Sequence, residues 1–544
     1  MSLPSWVFAK IGRLPPALST EVRVDRDLEA KMPDGAILLA DRWYAPATAD
    51  SDPVLLLRSP YGRRQLGVYG RLFSERGYQV VIQSCRGTFG SGGRSFDPFR
   101  NERADGQSTL EWLADQPWFT GSVGTFGPSY LGLVQWAVAA DPPPFVKAMS
   151  LQVTTARVRD IVYPGGSFAL ETGAFWVNQV QIQELPVRKL LWRMLAGRRK
   201  LALAYTTLPL EDADTKVLGS QVPYYQDWLV HDAIDDPWWE PLDWSKEVDR
   251  TPPATMIAGW YDIFLPGELE DFRRLRDAGR EARLTIGPWT HTSIGAGSTS
   301  IRDGLDWFGT HLRNGPATQR QPVRYFVTGS KRWVEAANWP PAFEVERWNL
   351  QGGRSLSVDR PSRGVPDKFR YDPADPAPGL GGPSLDPIRS GKRKQRRRES
   401  RPDVLSYTSA ALTRDLTVAG PVNAEVWVRC SRTAYDLFVR LCDVTERRNS
   451  YNICDGIIRI KEGDIETSPD GSVRVRLALW PTAHTFKAGH RIRVQLSSAA
   501  HPLYARNLGG GEPLGTAAAL FPGVLEVFHD SEHPSAVELP VSAL

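Results

Sequence analysis

Apolar runs and helix-compatible stretches alternate along the chain from about residue 22 to residue 141. Three of the runs are Ala36–Ala40, Val54–Leu57 and Tyr78–Ile82, and a helix-like stretch around Leu110–Leu113 follows the third. Short apolar runs separated by helices are typical of strands that are buried on both faces. The pattern therefore predicts a mostly parallel sheet with helices on both faces, an α/β architecture.

This rhythm stops between about residues 149 and 251. Long helix-compatible stretches such as Val177–Leu201 appear there, followed by acidic, tryptophan-rich segments around Trp238–Glu240. The apolar strand pattern resumes at Ala254 and continues to about Val345. A helical segment that interrupts a sheet in this way predicts a cap, inserted between the two halves of the α/β domain and lying over its active site.

Polar and apolar residues alternate in the last third of the chain. Glu425–Cys430 is typical of a strand, and Val473–Leu479 and Arg491–Leu496 alternate most regularly. Such segments, separated by turn residues, predict an all-β sandwich. We therefore expect four segments: 22–148 and 252–345 as the two halves of the α/β domain, 149–251 as the cap, and 346–544 as the sandwich.

Composition narrows the function classes. Apolar residues make up 41% of the chain and charged residues 24%, as in ordinary globular proteins, and a net charge of +4 predicts neither nucleic acid nor an anionic membrane as a partner. The four cysteines form no Cys-x-x-Cys pair, which disfavours a structural zinc site. Met1–Lys10 lacks the basic region and apolar core of a signal peptide, and no apolar stretch reaches membrane-span length, so we expect a cytoplasmic protein.

A basic run, Lys392–Arg398, lies within a Gly-, Pro- and Arg-rich stretch from Gly379 to Arg401. Such a run is compatible with a localisation signal or a nucleic-acid patch. No aromatic residues are interleaved with it, and no binding module surrounds it. We therefore favour a solvated loop for residues 392–401, whose role stays open.

The strongest candidate for chemistry is Ser129, in the segment Gly127-Pro128-Ser129-Tyr130-Leu131-Gly132. A serine on a sharp turn between a strand and a helix, with small neighbours, is typical of a nucleophile elbow. The common pattern has glycine two residues after the serine, but here Leu131 stands there and the glycine follows at Gly132.

Two further apolar runs end in residues that complete a catalytic set. Ala254–Tyr261 is followed by Asp262, and Arg283–Thr290 is followed by His291. The order Ser129, Asp262, His291 is the order of the α/β-hydrolase fold. Alone, Asp262 is compatible with a loop-solvating residue and His291 with a core histidine, but three elements in this order favour a triad.

Five motifs together resemble the cocaine esterase and X-Pro dipeptidyl-peptidase family of serine hydrolases: Ser59–Arg63, Cys85–Gly93, Gly127–Gly132, Gly259–Asp262 and Gly287–His291. Later segments, Arg401–Leu405, Pro481–His484 and Gly489–Arg493, resemble that family's β-sandwich. The resemblance implies an α/β-hydrolase domain with an inserted helical cap and a C-terminal all-β jelly-roll sandwich.

The resemblance also implies roles for single residues. Ser129 matches the nucleophile, Asp262 the acid and His291 the base of the catalytic triad. Tyr61 matches a tyrosine whose hydroxyl contributes to the oxyanion hole, and Tyr130 the residue whose backbone N–H is the other donor. Ser84 stands where the family usually has an acid, which leaves open what supports Arg86.

Three functions are compatible with these observations. The first is hydrolysis of a small-molecule carboxylic ester through an acyl-enzyme, with no metal or organic cofactor. The second is cleavage of an amide or peptide by the same triad, as in the family's acylase and dipeptidyl-peptidase branches. The third is a binding role for the sandwich beside an inert hydrolase domain. Substrate identity and oligomeric state stay open, with a homodimer among the options.

Overall fold

The computed structural model describes residues 6, 9–10, 12–362 and 364–543, with the side chains of 187–196 left out. The segment for which the sequence predicts no signal peptide lies mostly outside these residues. Two large sheets and a helical segment make up the described chain. In the part described here, no helix combines the length and the apolar character that a membrane span requires.

The first sheet has ten strands in the order β1-β2-β4-β3-β5-β6-β7-β8-β9-β10 within the described residues. Neighbouring strands from β4 across to β9 pair in parallel, whereas β1, β2 and β10 pair antiparallel at the two edges. The mostly parallel sheet predicted from the sequence is confirmed. The strands are β1 Arg23–Lys31, β2 Ile37–Tyr44, β3 Val54–Ser59, β4 Gln79–Ser84, β5 Val123–Pro128, β6 Val146–Gln152, β7 Ala254–Tyr261, β8 Ala282–Thr290, β9 Val323–Val327 and β10 Arg332–Ala336.

Both faces of the central part of this sheet are buried, which explains why inner strands such as β3 and β7 are apolar, whereas the edge strands β1 and β10 are polar and largely exposed. In β3, Leu55 and Leu57 belong to one buried cluster, whereas Val54 and Leu56 belong to another. Successive side chains of a strand point to opposite faces, so each face needs its own helices. The helices of this domain are Gly67–Ser74, Glu102–Ala114, Tyr130–Ala139, Leu265–Asp277 and Ile294–Arg313.

Helical elements fill the chain between β6 and β7. The sequence pattern suggested one long helical stretch over Val177–Leu201, but the structure has two helices there, Leu170–Ile182 and Val187–Thr206. Pro186 explains the break, because proline disfavours helical geometry in the residue before it. The other elements are the helices Arg159–Val162, Ala213–Leu218 and Pro223–Val230 and the 3₁₀ turns Pro164–Gly166, Leu210–Asp212 and Pro237–Leu242.

The second sheet is mostly antiparallel and follows the order β13-β20-β15-β21-β11-β12-β14-β19-β16-β17, with β18 paired to β15. It contacts the first domain where Thr328 bridges to His484. A 3₁₀ turn, Gly352–Arg354, precedes β12. The strands are β11 Glu344–Gln351, β12 Ser355–Ser357, β13 Asp367–Tyr371, β14 Leu405–Ser409, β15 Leu416–Cys430, β16 Tyr435–Val444, β17 Ser450–Ile460, β18 Val473–Phe486, β19 Arg491–Ser497, β20 Gly523–Val527 and β21 Ala536–Val541.

Residues 379–401, called the strap below, connect β13 to β14 and include the basic run. The expectation of a solvated loop is wrong for part of this run. Arg396–Glu399 forms a short helix, and Arg398 is fully buried, donating hydrogen bonds to Pro378, Gln495, Ser497 and Ala499. Four other side chains of the run are exposed and place positive charge on the surface: Lys392, Lys394, Arg396 and Arg397.

Candidate active site

Ser129 lies on a strained turn between β5 and the helix Tyr130–Ala139. Its φ is 59°, in the left-handed region that non-glycine residues rarely adopt. Its backbone N–H donates to the carbonyl of Gln152, 2.9 Å away. Gly127 permits the turn, because a Cβ there would lie 2.2 Å from the Cβ of Leu131. The elbow expected from the sequence is therefore present as backbone geometry.

The shifted glycine of the elbow has a steric cause. A Cβ on Gly132 would lie 2.5 Å from the Cβ of Thr154, so the helix comes closest to the segment after β6 at this residue. Leu131, where a glycine is more usual, is buried in a core cluster on one face of the sheet. The departure from the common pattern therefore moves the point of closest approach by one residue.

The structure brings Ser129, His291 and Asp262 into one hydrogen-bonded row. His291 Nδ1 lies 2.7 Å from Asp262 Oδ2, and its Nε2 lies 3.1 Å from Ser129 Oγ. A carboxylate can only accept, so the imidazole hydrogen is on Nδ1 and Nε2 is free to accept from the serine. Asp262 follows β7 and His291 follows β8, at the carboxyl ends of neighbouring parallel strands.

Asp262 is fully buried, and its orientation is fixed from more than one side. Its Oδ1 accepts a hydrogen bond from the backbone N–H of Phe264, whose ring stacks on the imidazole of His291 with centroids 5.5 Å apart. Behind it lies Glu268, whose pKa is raised well above its usual value by burial and by the charges of Asp262 and Asp271. Burial and these two carboxylates therefore favour the protonated form of Glu268.

Tyr61 lies after β3, with its hydroxyl at the same site. The indole N–H of Trp176 donates to Tyr61 Oη over 2.9 Å. Burial raises the pKa of Tyr61 to about 12, while hydrogen bonds with Trp176 and Ser129 act in the opposite direction. The phenol consequently stays protonated at all ordinary pH values and keeps a hydrogen to donate.

Tyr130 is the first residue of the elbow helix, where a backbone N–H has no acceptor within the helix. Its side chain is held separately, because the hydroxyl donates to Glu102 Oε1 over 2.7 Å and accepts from the backbone N–H of Phe99. Glu102 in turn pairs with the buried Arg58, 2.9 Å away. This network fixes the Tyr130 side chain through its hydroxyl, while the backbone N–H at the start of the helix is left without an acceptor inside the helix.

The doubt over Arg86 is resolved by acids elsewhere in the chain. Arg86 Nε donates to Asp105 over 2.9 Å, and its Nη1 donates to Asp34 over 2.6 Å. Ser84 instead accepts a hydrogen bond from Arg63. Arg86 is therefore fully paired although position 84 has no acid.

A cavity of about 260 Å³ opens above Ser129. The described residues that line it include no Asp, Glu, Lys or Arg; apart from the site residues they are apolar, aromatic or neutral polar. The predicted cap supplies several of these residues, including Phe175 of the helix Leu170–Ile182, and the strap supplies Leu385, which the sequence pattern did not mark as functional. Trp176 and Trp228 also line this cavity, and the 19 tryptophans of the chain are a signal that could have pointed to them, whereas nothing local singles out Leu385.

Comparison with known proteins supports the assignment of a family. Residues 34–293 match the family model described as X-Pro dipeptidyl-peptidase (S15 family), and residues 314–538 match the X-Pro dipeptidyl-peptidase C-terminal non-catalytic domain. The chain is 30% identical to a cocaine esterase of Rhodococcus sp. (strain MB1 Bresler), over 94% of this chain and 97% of that protein. The chain belongs to the cocaine esterase and X-Pro dipeptidyl-peptidase family. It is therefore a serine hydrolase.

Solved structures have the same fold as this serine hydrolase. An α-amino acid ester hydrolase aligns with a TM-score of 0.82 and 21% identity, covering 97% of this chain and 98% of that one. An aminopeptidase from a marine sediment Thaumarchaeota archaeon aligns with a TM-score of 0.81 at the same identity and coverage. At this identity the likeness establishes the fold, an N-terminal hydrolase domain followed by a non-catalytic β domain.

Proposed function

We propose that this serine hydrolase cleaves carboxylic esters through an acyl-enzyme formed on Ser129. The observation that carries the proposal is the row of Ser129, His291 and Asp262 at the base of an uncharged cavity. His291 takes the serine proton as Ser129 Oγ attacks the ester carbonyl, and the proton then goes to the departing alcohol. Water, activated by the same histidine, next releases the acid and returns Ser129 to its starting form.

Two donors stabilise the oxyanion that forms in each step. The hydroxyl of Tyr61 supplies one, and the backbone N–H of Tyr130 at the start of its helix supplies the other. Asp262 holds the tautomer of His291 and stabilises the imidazolium that forms when the serine proton is transferred. No metal or organic cofactor takes part in this scheme.

Ester hydrolysis is favoured over the amide and peptide alternative by the charge of the cavity. A dipeptidyl-peptidase or an amino-acid acylase must accommodate a free ammonium or carboxylate of its substrate. The described lining offers no counter-ion for either group, and an unpaired charge in an apolar cavity is strongly disfavoured. We therefore favour esters with a neutral, apolar or aromatic acyl group.

A matched pair of substrates tests this preference. Methyl 3-phenylpropanoate and methyl phenylalaninate differ only in the α-amino group, so the acyl volume is nearly constant between them. We expect kcat/KM to favour the first by at least about 100-fold where the amine is protonated, equivalent to about 2.7 kcal/mol. Equal values, or a preference for the amino ester, would instead support the peptidase-like alternative.

The nucleophile is tested by a fluorophosphonate probe. We expect the probe to label Ser129, and we expect Ser129→Ala to remove both labelling and ester hydrolysis while the thermal unfolding midpoint is unchanged. Labelling that persists in the Ser129→Ala variant would show that the nucleophile is another residue. Loss of labelling in this variant also argues against the third hypothesis, in which the hydrolase domain is inert.

Several expectations from the sequence remain proposals. The division at residues 22–148, 149–251, 252–345 and 346–544 is supported by the change from parallel sheet to helices to antiparallel sheet, and the jelly-roll topology of the last segment by its antiparallel strands. The near-neutral net charge supports neither nucleic acid nor an anionic membrane as partner, and a cytoplasmic location stays a prediction from the sequence. Sedimentation would decide between a monomer and the homodimer.

A further inference from the structure

The helix Leu170–Ile182 lines the cavity and contacts the loop that carries Tyr61. Trp176, near its middle, donates its indole N–H to Tyr61 Oη, 2.9 Å away. Just past its end, Gln183 donates its side-chain amide to the carbonyl of Pro60 over 2.8 Å. The loop is therefore held both at its backbone and at the hydroxyl of Tyr61.

The direction of the first hydrogen bond restricts what the tyrosine hydroxyl can do. An indole N–H can only donate, whereas a phenol hydroxyl has one hydrogen and accepts through its oxygen. Tyr61 therefore has to accept from Trp176, and its own hydrogen has to point elsewhere. Hydrogen bonding with the hydroxyl of Ser129 also lowers the pKa of Tyr61, and Ser129 and Tyr61 line the same cavity.

Stacking fixes the indole ring of Trp176 in this orientation. It lies nearly parallel to the ring of Tyr130, at 9° with centroids 6.2 Å apart, and to that of Phe99, at 16° with centroids 6.0 Å apart. Tyr130 is itself held through Glu102. The indole of Trp176, which donates to Tyr61, therefore stacks on the tyrosine that begins the elbow helix.

We propose that Trp176 is a positioning residue for the oxyanion hole: it occupies one side of the Tyr61 hydroxyl, so that the hydroxyl hydrogen is directed to the oxyanion that forms at Ser129. The inference rests on the proposed role of Tyr61 in ester hydrolysis. Trp176 acts through Tyr61 in the transition state, and its ring also lines the cavity.

The test is a double-mutant cycle on the full-length enzyme with a single aryl ester under conditions where chemistry limits kcat. Trp176→Phe keeps an aromatic ring and removes the N–H, and we expect it to lower kcat by roughly 10-fold. In the Tyr61→Phe background the hydroxyl is absent, so adding Trp176→Phe should change kcat by less than about twofold.

Trp228→Phe is the matched control. Trp228 lines the same cavity and packs beside Trp176, with ring centroids 6.0 Å apart, and no hydrogen bond among the described residues joins it to Tyr61. Both substitutions enlarge the cavity by a similar amount. We expect Trp228→Phe to change mainly KM. The fall in kcat is then expected for Trp176→Phe and not for Trp228→Phe.

A second replacement avoids the change in ring size. Site-specific incorporation of 3-benzothienylalanine at position 176 keeps the shape of the indole and replaces its N–H by sulfur. We expect this variant to lower kcat as Trp176→Phe does, with a thermal unfolding midpoint close to that of the wild type. It therefore keeps the proposal testable if Trp176→Phe does not fold.

The proposal is overturned if the benzothienyl variant keeps wild-type kcat, or if the Trp176 and Tyr61 substitutions reduce kcat by independent factors that multiply. Its failure is distinguishable from failure of the proposed function. If the proposed function fails, labelling or hydrolysis persists in Ser129→Ala. If only the role of Trp176 fails, Ser129→Ala is inactive and the failure appears in the double-mutant cycle alone.

Discussion

Single residues at this site owe their chemistry to burial and to the partners that surround them. Tyr61 is protected from ionisation by burial, which raises its pKa to about 12, so it remains a donor. Burial and the neighbouring carboxylates of Asp262 and Asp271 likewise raise the pKa of Glu268 well above its usual value. For both side chains burial favours the protonated form, which in Tyr61 keeps the hydroxyl hydrogen available for donation.

Tyr61→Phe separates a role in the oxyanion hole from simple packing. The phenyl ring retains the packing, whereas the missing hydroxyl removes a donor that matters when charge develops on the oxyanion. We expect kcat to fall by about 10²–10³-fold with little change in KM, as measured by steady-state kinetics on one ester. An unchanged kcat under chemistry-limited conditions would assign Tyr61 a packing role only.

Asp262→Asn tests the orientation of His291. The amide cannot hold the Nδ1–H tautomer as a carboxylate does, so Nε2 loses its role as acceptor for Ser129. We expect Asp262→Asn to fold and its kcat to be about 10⁴-fold lower than that of the wild type, measured at equal protein concentration. If turnover stays at the wild-type level, another acid supports the histidine.

Glu268→Gln should alter how stability depends on pH. The folded-state pKa of Glu268 lies above that of the unfolded chain, so the native protein holds a proton that the unfolded chain releases, and its contribution to stability is lost as pH rises. Glutamine does not titrate. The thermal midpoint of Glu268→Gln relative to wild type should therefore be higher at pH 8.5 than at pH 5.5. An equal difference at both pH values would show that Glu268 ionises normally.

At the scale of elements, the elbow depends on close contacts that a Cβ would prevent. The sequence predicted the strand, the turn and the helix around Ser129, because glycine and a polar residue at a strand end are local signals. It did not predict why glycine stands at 132 rather than 131, since Thr154 comes from the segment after β6, distant in sequence. The position at which a helix comes closest to a segment distant in sequence is set by packing, and a local sequence pattern contains no information about it.

Gly132→Ala tests this close approach. The added Cβ would lie 2.5 Å from the Cβ of Thr154, so the helix that carries the Tyr130 N–H has to shift. We expect a lower melting temperature and a lower kcat, since a donor displaced by a fraction of an ångström stabilises the oxyanion less well. Gly297→Ala is the matched control, because it also lies in a helix and its Cβ would meet no atom within 4 Å. Equal behaviour of the two variants would contradict the steric account.

At the scale of the whole molecule, the β domain takes part in building the site. Leu385 of the strap lines the cavity, and a Cβ on Gly391 would lie 3.2 Å from Thr290, the neighbour of His291. The strap also holds the cap, because Ser384 and Arg389 both bind the fully buried carboxylate of Glu171 at 2.6 and 2.8 Å. The sequence indicated the β domain from its alternating strands, but contacts between separate segments leave no periodic signal.

Arg389→Ala tests the strap as a clamp on the helix Leu170–Ile182. Removing the guanidinium leaves the charge of buried Glu171 without its cation, and we expect a loss of about 1–2 kcal/mol, since Arg389 itself is partly exposed. kcat/KM should fall as well, because this helix carries Trp176. The double variant Arg389→Ala/Glu171→Gln removes the unpaired charge and should regain most of the melting temperature. No difference between the single and double variants would contradict this.

The acyl-enzyme on Ser129 is the central claim, and trapping it is the most direct test. The measurement is rapid acid quench of the enzyme during turnover of p-nitrophenyl benzoate, followed by mass spectrometry of the digested protein. A burst of about one p-nitrophenolate per enzyme, with the benzoyl group located on Ser129, is the result we predict. A benzoyl group on a different residue would contradict this claim. A Ser129→Ala variant that remains active and turns over without a burst would contradict it as well.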